Sequence, residues 1–276
     1  MSLGQCCASG FKHDGTPSGK TEDINGVKTC QWRNPSRGEK RLKLTSKCSL
    51  TTTTTTTTHS DISLPKGDYE KSKALLFLTD IFGVNLPNGQ LLADSFAENG
   101  IAVYMPDYLH DDAISFEDMN SGKVDLMAWL AKHGKDVTRP AIDKVVQHLK
   151  GQGVQKFAAI GYCFGGRYVT DLVVDSTASV GVVAHPSLLD VPKDIHDLNN
   201  SSGHFLWLNA GDDYMFNKEK QDEAREIIKG NDKQKMVDYE GVGHGFAIRG
   251  DPKDDKVRKA ADDAFVQSVN FIKANL

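Results

Sequence analysis

Apolar and polar positions alternate in regular blocks from residue 73 to the end of the chain. Runs of mostly apolar residues, typical of strands buried on both faces, occur at residues 74–79, 101–106, 156–160, 180–184, 204–209 and 235–239. Segments with helical spacing of apolar residues separate them, at residues 91–96, 124–132, 142–150, 164–174, 218–228 and 256–274. This alternation predicts an α/β fold with a doubly wound, mostly parallel sheet and helices on both faces.

The first 60 residues depart from this pattern. Asn25-Gly26 is a hairpin-turn signal, so residues 1–29 are predicted to begin the sheet. Residues 30–60 then combine six lysines and arginines with an unbroken threonine run from 51 to 58, and they present no periodic apolar face. We predict that residues 30–60 are a disordered, low-complexity insertion into the first hairpin, and we hypothesise that they are translated non-coding sequence. Peptides from this stretch in digests of the native protein would contradict that hypothesis.

Composition narrows the class of protein. The 276 residues are 39% hydrophobic and 25% charged, enough to bury the core of one large domain. The net charge of −4 offers no basic surface for nucleic acid or anionic membranes, and no apolar run reaches the roughly 18 residues of a membrane span. The N-terminus lacks a signal-peptide pattern, so we expect a cytoplasmic protein that acts on a small molecule.

The five scattered cysteines favour reduced thiols over a disulfide scaffold. Cys6, Cys7 and His13 are residue types that bind metal ions, so they could form a metal site. Adjacent cysteines do not easily share one tetrahedral site, however, and no second Cys/His pair follows at a suitable spacing. We therefore predict no metal, and a reduced thiol is available as a nucleophile.

Residues suited to catalysis lie just after predicted strands. Cys163 sits in a G-x-C-x-G turn between a strand and a helix, which is the outline of a nucleophile elbow. Asp213 and His244 follow two later strands, and ligands bind outside the carboxyl ends of such strands. A thiol needs a base to become a nucleophilic thiolate, and a histidine held by a carboxylate supplies one. The order nucleophile, acid, histidine is that of α/β-hydrolases.

Spacing alone leaves two choices open. Asp212 and Asp213 are nearly equal candidates for the acid, and we favour Asp213 because Asp212 stands closer to the strand end. His185 competes with His244 as the base. Because His185 precedes the acid and is followed by Pro186, we favour a pocket-lining or packing role for it.

Together these segments resemble the dienelactone hydrolase family over residues 62–274. Five motifs carry the resemblance: Asp80-Ile81-Phe82-Gly83-Val84-Asn85, Met105-Pro106-Asp107, Gly161-Tyr162-Cys163-Phe164-Gly165-Gly166, Gly211-Asp212-Asp213-Tyr214 and Gly243-His244-Gly245-Phe246. Two further segments are similar to the fungal branch: Cys6-Cys7 followed by His13, Gly15, Pro17 and Gly19, and Ala184-His185-Pro186-Ser187. The resemblance implies an α/β-hydrolase domain over residues 61–276.

The resemblance also implies a mechanism. It suggests a Cys163-His244-Asp213 triad that hydrolyses an enol-lactone or related ester without a metal or organic cofactor. Backbone N–H groups of Ile81 and Phe164 are the implied oxyanion hole. In bacterial relatives a glutamate at the place of Asp80 helps to activate the thiol. Asp80 is thus a candidate for this role, beside a structural role at the strand end.

The substrate is less well indicated. Relatives that act on dienelactone hold the substrate carboxylate with arginines, and Arg249 and Arg167 are the candidates here. His185, Phe82 and Tyr214 are candidates for lining the pocket. Two other functions remain open: a tailoring hydrolase of fungal secondary metabolism, and a non-catalytic binding protein or thiol-based redox sensor on the same fold. The presence of nucleophile, acid and base together favours an enzyme.

Overall fold

A computed structural model describes residues 13–18, 20–25, 27–32, 58–63 and 69–276. Nine strands in this part of the chain form one sheet. They are β1 Lys20–Ile24, β2 Val27–Trp32, β3 Thr58–Ser63, β4 Lys73–Leu78, β5 Val103–Pro106, β6 Lys156–Tyr162, β7 Val180–Ala184, β8 His204–Asp212 and β9 Gln234–Gly243. Their order across the sheet is β1-β2-β3-β5-β4-β6-β7-β8-β9.

Helices connect the later strands. Those within the described ranges are α1 Pro87–Glu98, α2 Phe116–Asn120, α3 Leu126–Lys132, α4 Lys135–Gly151, α5 Phe164–Val174, α6 Lys193–Asn199, α7 Lys218–Ile228, α8 Phe246–Arg249 and α9 Asp255–Asn275. Each predicted helix is present, and the short helices α2, α6 and α8 are additional. None of the helices in the described ranges is long and apolar enough to cross a bilayer.

The six strands β4 to β9 run parallel, as predicted. β4 shows why these strands read as continuous apolar runs, since it is covered on both faces. Leu76 and Leu78 pack into the core on one face, and Leu75 and Phe77 pack into the core on the other. The α/β-hydrolase fold is thereby confirmed, and the carboxyl ends of the parallel strands form one edge of the sheet.

The hairpin prediction is also confirmed. β1 and β2 pair antiparallel with Ile24 opposite Val27, and Asn25 adopts a φ of 53° in the two-residue turn. β3 lies parallel to β2 and antiparallel to β5, which joins this first unit to the main sheet. The predicted insertion at residues 30–60 has its two ends in β2 and β3. Residues 33–57, and also Cys6 and Cys7, lie outside the described residues, so those expectations remain predictions.

Candidate active site

Cys163 occupies a sharp turn between β6 and α5. Its φ of 51° and ψ of −112° are unusual for a residue with a side chain, and such strain is found mainly at functional sites. The turn depends on Gly165, where an added Cβ would lie 2.7 Å from both the Leu78 carbonyl carbon and the Thr79 carbonyl oxygen. The absence of a side chain at Gly165 lets α5 begin directly behind Cys163. The buried sulfur thus lies at the positive end of the helix dipole.

His244 and Asp213 meet beside this turn. Asp213 directly follows β8, His244 directly follows β9, and both side chains are buried. His244 Nδ1 donates a hydrogen bond of 2.8 Å to Asp213 Oδ2. Asp213 Oδ1 accepts hydrogen bonds from two backbone N–H groups, of Met215 at 2.8 Å and Phe216 at 3.3 Å. The carboxylate is fixed on both sides, whereas Asp212, at the end of β8, is exposed.

The His244 ring also interacts with Cys163. Nε2 is buried and lies outside hydrogen-bond geometry with any described atom, yet the nearby Cys163 sulfur interacts with the ring. Burial lowers the pKa of His244, but Cys163 and Asp213 together raise it more, to about 9. A proton on His244 and a negative charge on the Cys163 sulfur therefore stabilise each other.

His185 packs against His244 and takes no part in the hydrogen bond between His244 and Asp213. Its ring centroid lies 4.9 Å from that of His244, with the ring planes at 63°. Burial, followed by the charges of His244 and Arg249, holds the pKa of His185 well below its ordinary value. A neutral, fully buried imidazole on this face suits the packing role favoured from the sequence.

Ser187 is a site residue that the sequence reasoning missed. Its Oγ lies 3.2 Å from Cys163 Sγ, and its backbone N–H donates a 2.9 Å hydrogen bond to the Cys163 carbonyl. Ser187 belongs to the loop after β7, which is the direct neighbour of β6 in the sheet. Residues that follow neighbouring parallel strands lie side by side, so this contact could be found only once β6 and β7 were known to be neighbours.

Asp80 and Arg249 form a buried ion pair. Arg249 Nη1 donates to Asp80 Oδ2 at 2.9 Å, and Asp80 Oδ1 accepts from the N–H of Phe82 at 3.0 Å. The guanidinium carbon also lies 5.5 Å from the centroid of the Phe82 ring, a cation–π contact. Burial raises the pKa of Asp80, and Arg249 opposes that rise. Arg249 is thus an interior residue in this structure, and both carboxylate oxygens of Asp80 are engaged.

The implied oxyanion-hole residues follow two neighbouring strands, β4 and β6. Ile81 directly follows Asp80 and is buried, and Phe164 is the first residue of α5. The first N–H groups of a helix have no partner within it, so that of Phe164 is suited to meet a developing negative charge. The placement of both residues at the carboxyl edge of the sheet agrees with the implied role.

Arg167 and Tyr214 lie further out. Arg167 forms ion pairs with Asp171, at 2.6 Å, and with Asp194. It borders a cavity of about 470 Å³, and Tyr214, beside Asp213, is 39% exposed. Six of the residues that line this cavity are Leu130, His133, Phe164, Arg167, Tyr168 and Leu188. The cavity therefore reaches the residue next to the nucleophile.

No group of three or more histidine, cysteine or acidic residues within the described ranges could hold a metal ion. Cys163, His244 and Asp213 lie together, and these are the residue types that can act as nucleophile, base and orienting acid.

Comparisons with known proteins place this geometry in context. The family model described as "Dienelactone hydrolase family" matches residues 61–276. The hydrolase tropI of Talaromyces stipitatus is 29% identical over 276 residues, covering 96% of this chain and 94% of that protein. The hydrolase pyvD of Aspergillus violaceofuscus is 32% identical over 211 residues, covering 76% and 84%. A crystal structure of a putative dienelactone hydrolase from Klebsiella pneumoniae superposes with a TM-score of 0.63 at 14% identity, covering 78% of this chain and 92% of that one.

Proposed function

Because this chain belongs to the dienelactone hydrolase family, we propose that it cleaves small lactones or carboxylic esters through a thioester on Cys163. It is a hydrolase of the ester- and lactone-cleaving class. The observation that carries the proposed mechanism is the 2.8 Å contact between His244 Nδ1 and Asp213 Oδ2, in a ring whose pKa the Cys163 sulfur helps to raise. These contacts supply a nucleophile, a proton acceptor and an orienting carboxylate.

The first half of the reaction forms the thioester. The Cys163 proton passes to His244 Nε2, and the thiolate attacks the ester carbonyl carbon to form a C–S bond. The carbonyl electron pair moves onto oxygen, where the N–H groups of Ile81 and Phe164 stabilise it. When the electron pair returns, the C–O bond breaks and the His244 imidazolium gives its proton to the leaving oxygen. In a lactone that oxygen stays attached to the acyl chain.

The second half regenerates the enzyme. A water molecule loses a proton to His244 and attacks the thioester carbonyl, and the C–S bond breaks to release the carboxylic acid and the thiolate. Asp213 keeps the imidazole in the tautomer that this exchange needs, because its carboxylate holds the proton on Nδ1. No step requires a group that the chain lacks.

We assign substrate binding to two arginines, Arg249 and Arg167, and to aromatic residues near the sulfur. We assign Arg249, with Phe82 and Tyr214, to a region that receives a carboxylate-bearing or unsaturated acyl group, because a guanidinium fork suits a carboxylate. Asp80 neutralises Arg249 at rest, so its part in activating the thiol requires that this pair open. Arg167 borders the outer cavity, so a substrate that enters through this cavity would pass the Arg167 guanidinium.

A second candidate is a tailoring hydrolase of fungal secondary metabolism. The near full-length likeness to the fungal hydrolase tropI favours it. Both candidates use the same site and differ in the size of the lactone. A panel that runs from simple enol-lactones to bulky aromatic lactones separates them by their kcat/KM values.

The experiment that tests the proposed function is hydrolysis of that panel, with aryl esters added, by the parent and three variants. Cys163→Ala should abolish turnover, and His244→Ala should reduce it to near background. Asp213→Asn should lower kcat by about 10²–10⁴-fold, because the imidazole loses its orienting carboxylate. Asp212→Asn is the matched control, since Asp212 is exposed and lies next in sequence, and it should keep parental activity.

Two results would count against the proposal. Full activity of Cys163→Ala on an ester that the parent cleaves would exclude covalent catalysis at this turn. A folded parent that cleaves no member of the panel would favour the binding or redox-sensing alternative.

A further inference from the structure

The loop His185-Pro186-Ser187 runs between the nucleophile and its base. It leaves the sheet at the end of β7, and β7 pairs in parallel with β6 so that Ala184 lies opposite Tyr162. Cys163 and His185 therefore leave neighbouring strands at the same level. The His185 ring packs against His244, and two residues later the Ser187 hydroxyl reaches the Cys163 sulfur.

Ser187 is held in place by its backbone as well as by its side chain. Its N–H donates to the Cys163 carbonyl at 2.9 Å, while its Oγ lies 3.2 Å from the sulfur of the same residue. Pro186 restricts the backbone that leads to Ser187 and packs closely against α5. A Cβ added at Gly166 in that helix would lie 2.8 Å from the Pro186 Cβ. Ser187 itself is buried. The backbone contacts of Ser187 therefore hold its hydroxyl beside the sulfur.

The charge on the sulfur decides the direction of the hydrogen bond. A hydroxyl can donate or accept, but a thiolate can only accept. Interaction with the Cys163 sulfur helps to raise the pKa of His244 to about 9, which favours the state in which the imidazole holds the proton and the sulfur is the thiolate. Hydrogen bonds to ionised acceptors are stronger than neutral ones, and more so in a site that excludes water.

We propose that Ser187 is a further catalytic residue, whose hydroxyl donates a hydrogen bond to the Cys163 sulfur and stabilises it as a thiolate. The same bond serves twice in the reaction. It keeps the resting sulfur ionised, and it stabilises the sulfur again when the thioester breaks and the thiolate leaves. The second role rests on the proposed function, whereas the first is a property of the resting protein.

Other titratable groups surround the sulfur and must stay constant in any test. They follow the carboxyl ends of four strands, β4, β5, β7 and β9: Asp80, Tyr108, His185, His244 and Arg249. Ser187 carries no charge, so replacing it leaves all of these interactions unchanged. A shift in thiol ionisation on replacement then reports the hydroxyl itself.

The test measures ionisation of the Cys163 thiol without substrate. The rate of alkylation by iodoacetamide is followed from acidic to alkaline pH by mass spectrometry of the tryptic peptide 157–167, which contains no other cysteine. Ser187→Ala should raise the midpoint by about one pH unit, so alkylation well below the midpoint slows about tenfold. Ser187→Thr keeps a hydroxyl, so its midpoint should lie close to that of the parent. Ser268→Ala removes a buried serine hydroxyl that bonds Ala264 within α9, and it should leave the midpoint unchanged.

An unchanged midpoint in folded Ser187→Ala would overturn the inference, even if activity fell, because a structural role alone predicts that pattern. If Ser187→Ala does not unfold cooperatively, Ser187→Gly removes the same hydroxyl without placing a methyl group against the sulfur, and the same criterion applies to it. A shifted midpoint in a protein that cleaves no ester would leave this hydrogen bond standing and refute the proposed function. Ester cleavage by the parent, with an unshifted midpoint in Ser187→Ala, would support the proposed function and refute the hydrogen bond.

Discussion

The Asp80–Arg249 pair allows a sharp test of how the interior around the site is held together. The two side chains are separated by 169 positions in the chain and joined by a 2.9 Å hydrogen bond. Asp80 is 0% exposed and Arg249 is 1% exposed. Removing one partner of such a pair leaves a charge in the interior with no compensation, which costs about 3–5 kcal/mol. That is a large part of a typical unfolding free energy of about 5–15 kcal/mol.

The two single variants differ in how the remaining charge can be relieved. In Arg249→Met, Asp80 can take up a proton, because burial already raises its pKa and the opposing arginine is gone. In Asp80→Asn, the guanidinium cannot lose its proton at any accessible pH. We therefore expect Asp80→Asn to be at least as destabilising as Arg249→Met at pH 7. The asparagine oxygen can still accept from the N–H of Phe82, so the loss comes from the charge.

The pH dependence has a definite sign. In Arg249→Met the folded-state pKa of Asp80 lies above its unfolded value, so stability is greatest when Asp80 is protonated and falls as the pH rises through the unfolded value of about 3.9 and above. The destabilisation by Arg249→Met should accordingly be smaller at pH 5 than at pH 7. No such relief is expected for Asp80→Asn.

The assay is urea unfolding of the parent, both single variants and Asp80→Asn/Arg249→Met, followed by circular dichroism and tryptophan fluorescence to establish a single transition. The double variant should lose less than the sum of the two singles by about 2–3 kcal/mol, because neither buried charge remains. Arg258→Met is the matched control, since Arg258 pairs with Asp255 at the surface, and it should change stability by less than about 0.5 kcal/mol. Singles that each cost under about 1 kcal/mol and add without coupling would refute the reasoning.

Two further outcomes are expected. First, kcat should fall at alkaline pH with a midpoint near 9, because His244 then loses the proton that it gives to the leaving oxygen. Asp213→Asn should move this alkaline limb to lower pH, since the carboxylate raises the pKa of His244; a pH profile of kcat whose limb stays in place would contradict the coupling. Second, Gly165→Ala should destabilise the fold by about 1–3 kcal/mol in thermal or urea unfolding, because its Cβ would meet the Leu78 and Thr79 carbonyl groups. Gly151→Ala, in the last turn of α4 with nothing within 4 Å of the added Cβ, should be neutral or stabilising by about 0.5–1 kcal/mol, and equal effects of the two changes would contradict this account of the turn.

The parallel sheet and the position of Cys163 could be predicted from the sequence because local patterns specify them. Residues 74–78 and 180–184 hold no polar side chain, and a strand covered on both faces needs no other signal. The extension of β9 to Gly243 was not predictable in this way. Residues 240–243 hold two glycines and no apolar run, and they join the sheet by backbone pairing with β8 across an irregular register near Ala210.

Contacts between side chains from distant parts of the chain were the hardest to predict from the sequence. The order of Cys163, Asp213 and His244 suggested their meeting, because each follows a strand. Nothing local in the sequence indicated that Arg249 pairs with Asp80, since that contact depends on how the single turn α8 is oriented over the strand ends. Ser187 was equally hidden, because a serine two residues past a histidine has no distinguishing pattern until β6 and β7 are known to be neighbours.

The most direct test of the central claim is to trap the acyl enzyme. The parent is mixed with a cleavable lactone, quenched in acid before the steady state and digested, and the peptide 157–167 is weighed by mass spectrometry. A thioester on Cys163 predicts that this peptide gains the full mass of the lactone, because the leaving oxygen stays attached, and that Cys163→Ala shows neither adduct nor turnover. Steady turnover by Cys163→Ala, or an adduct confined to another residue, would contradict covalent catalysis by this cysteine.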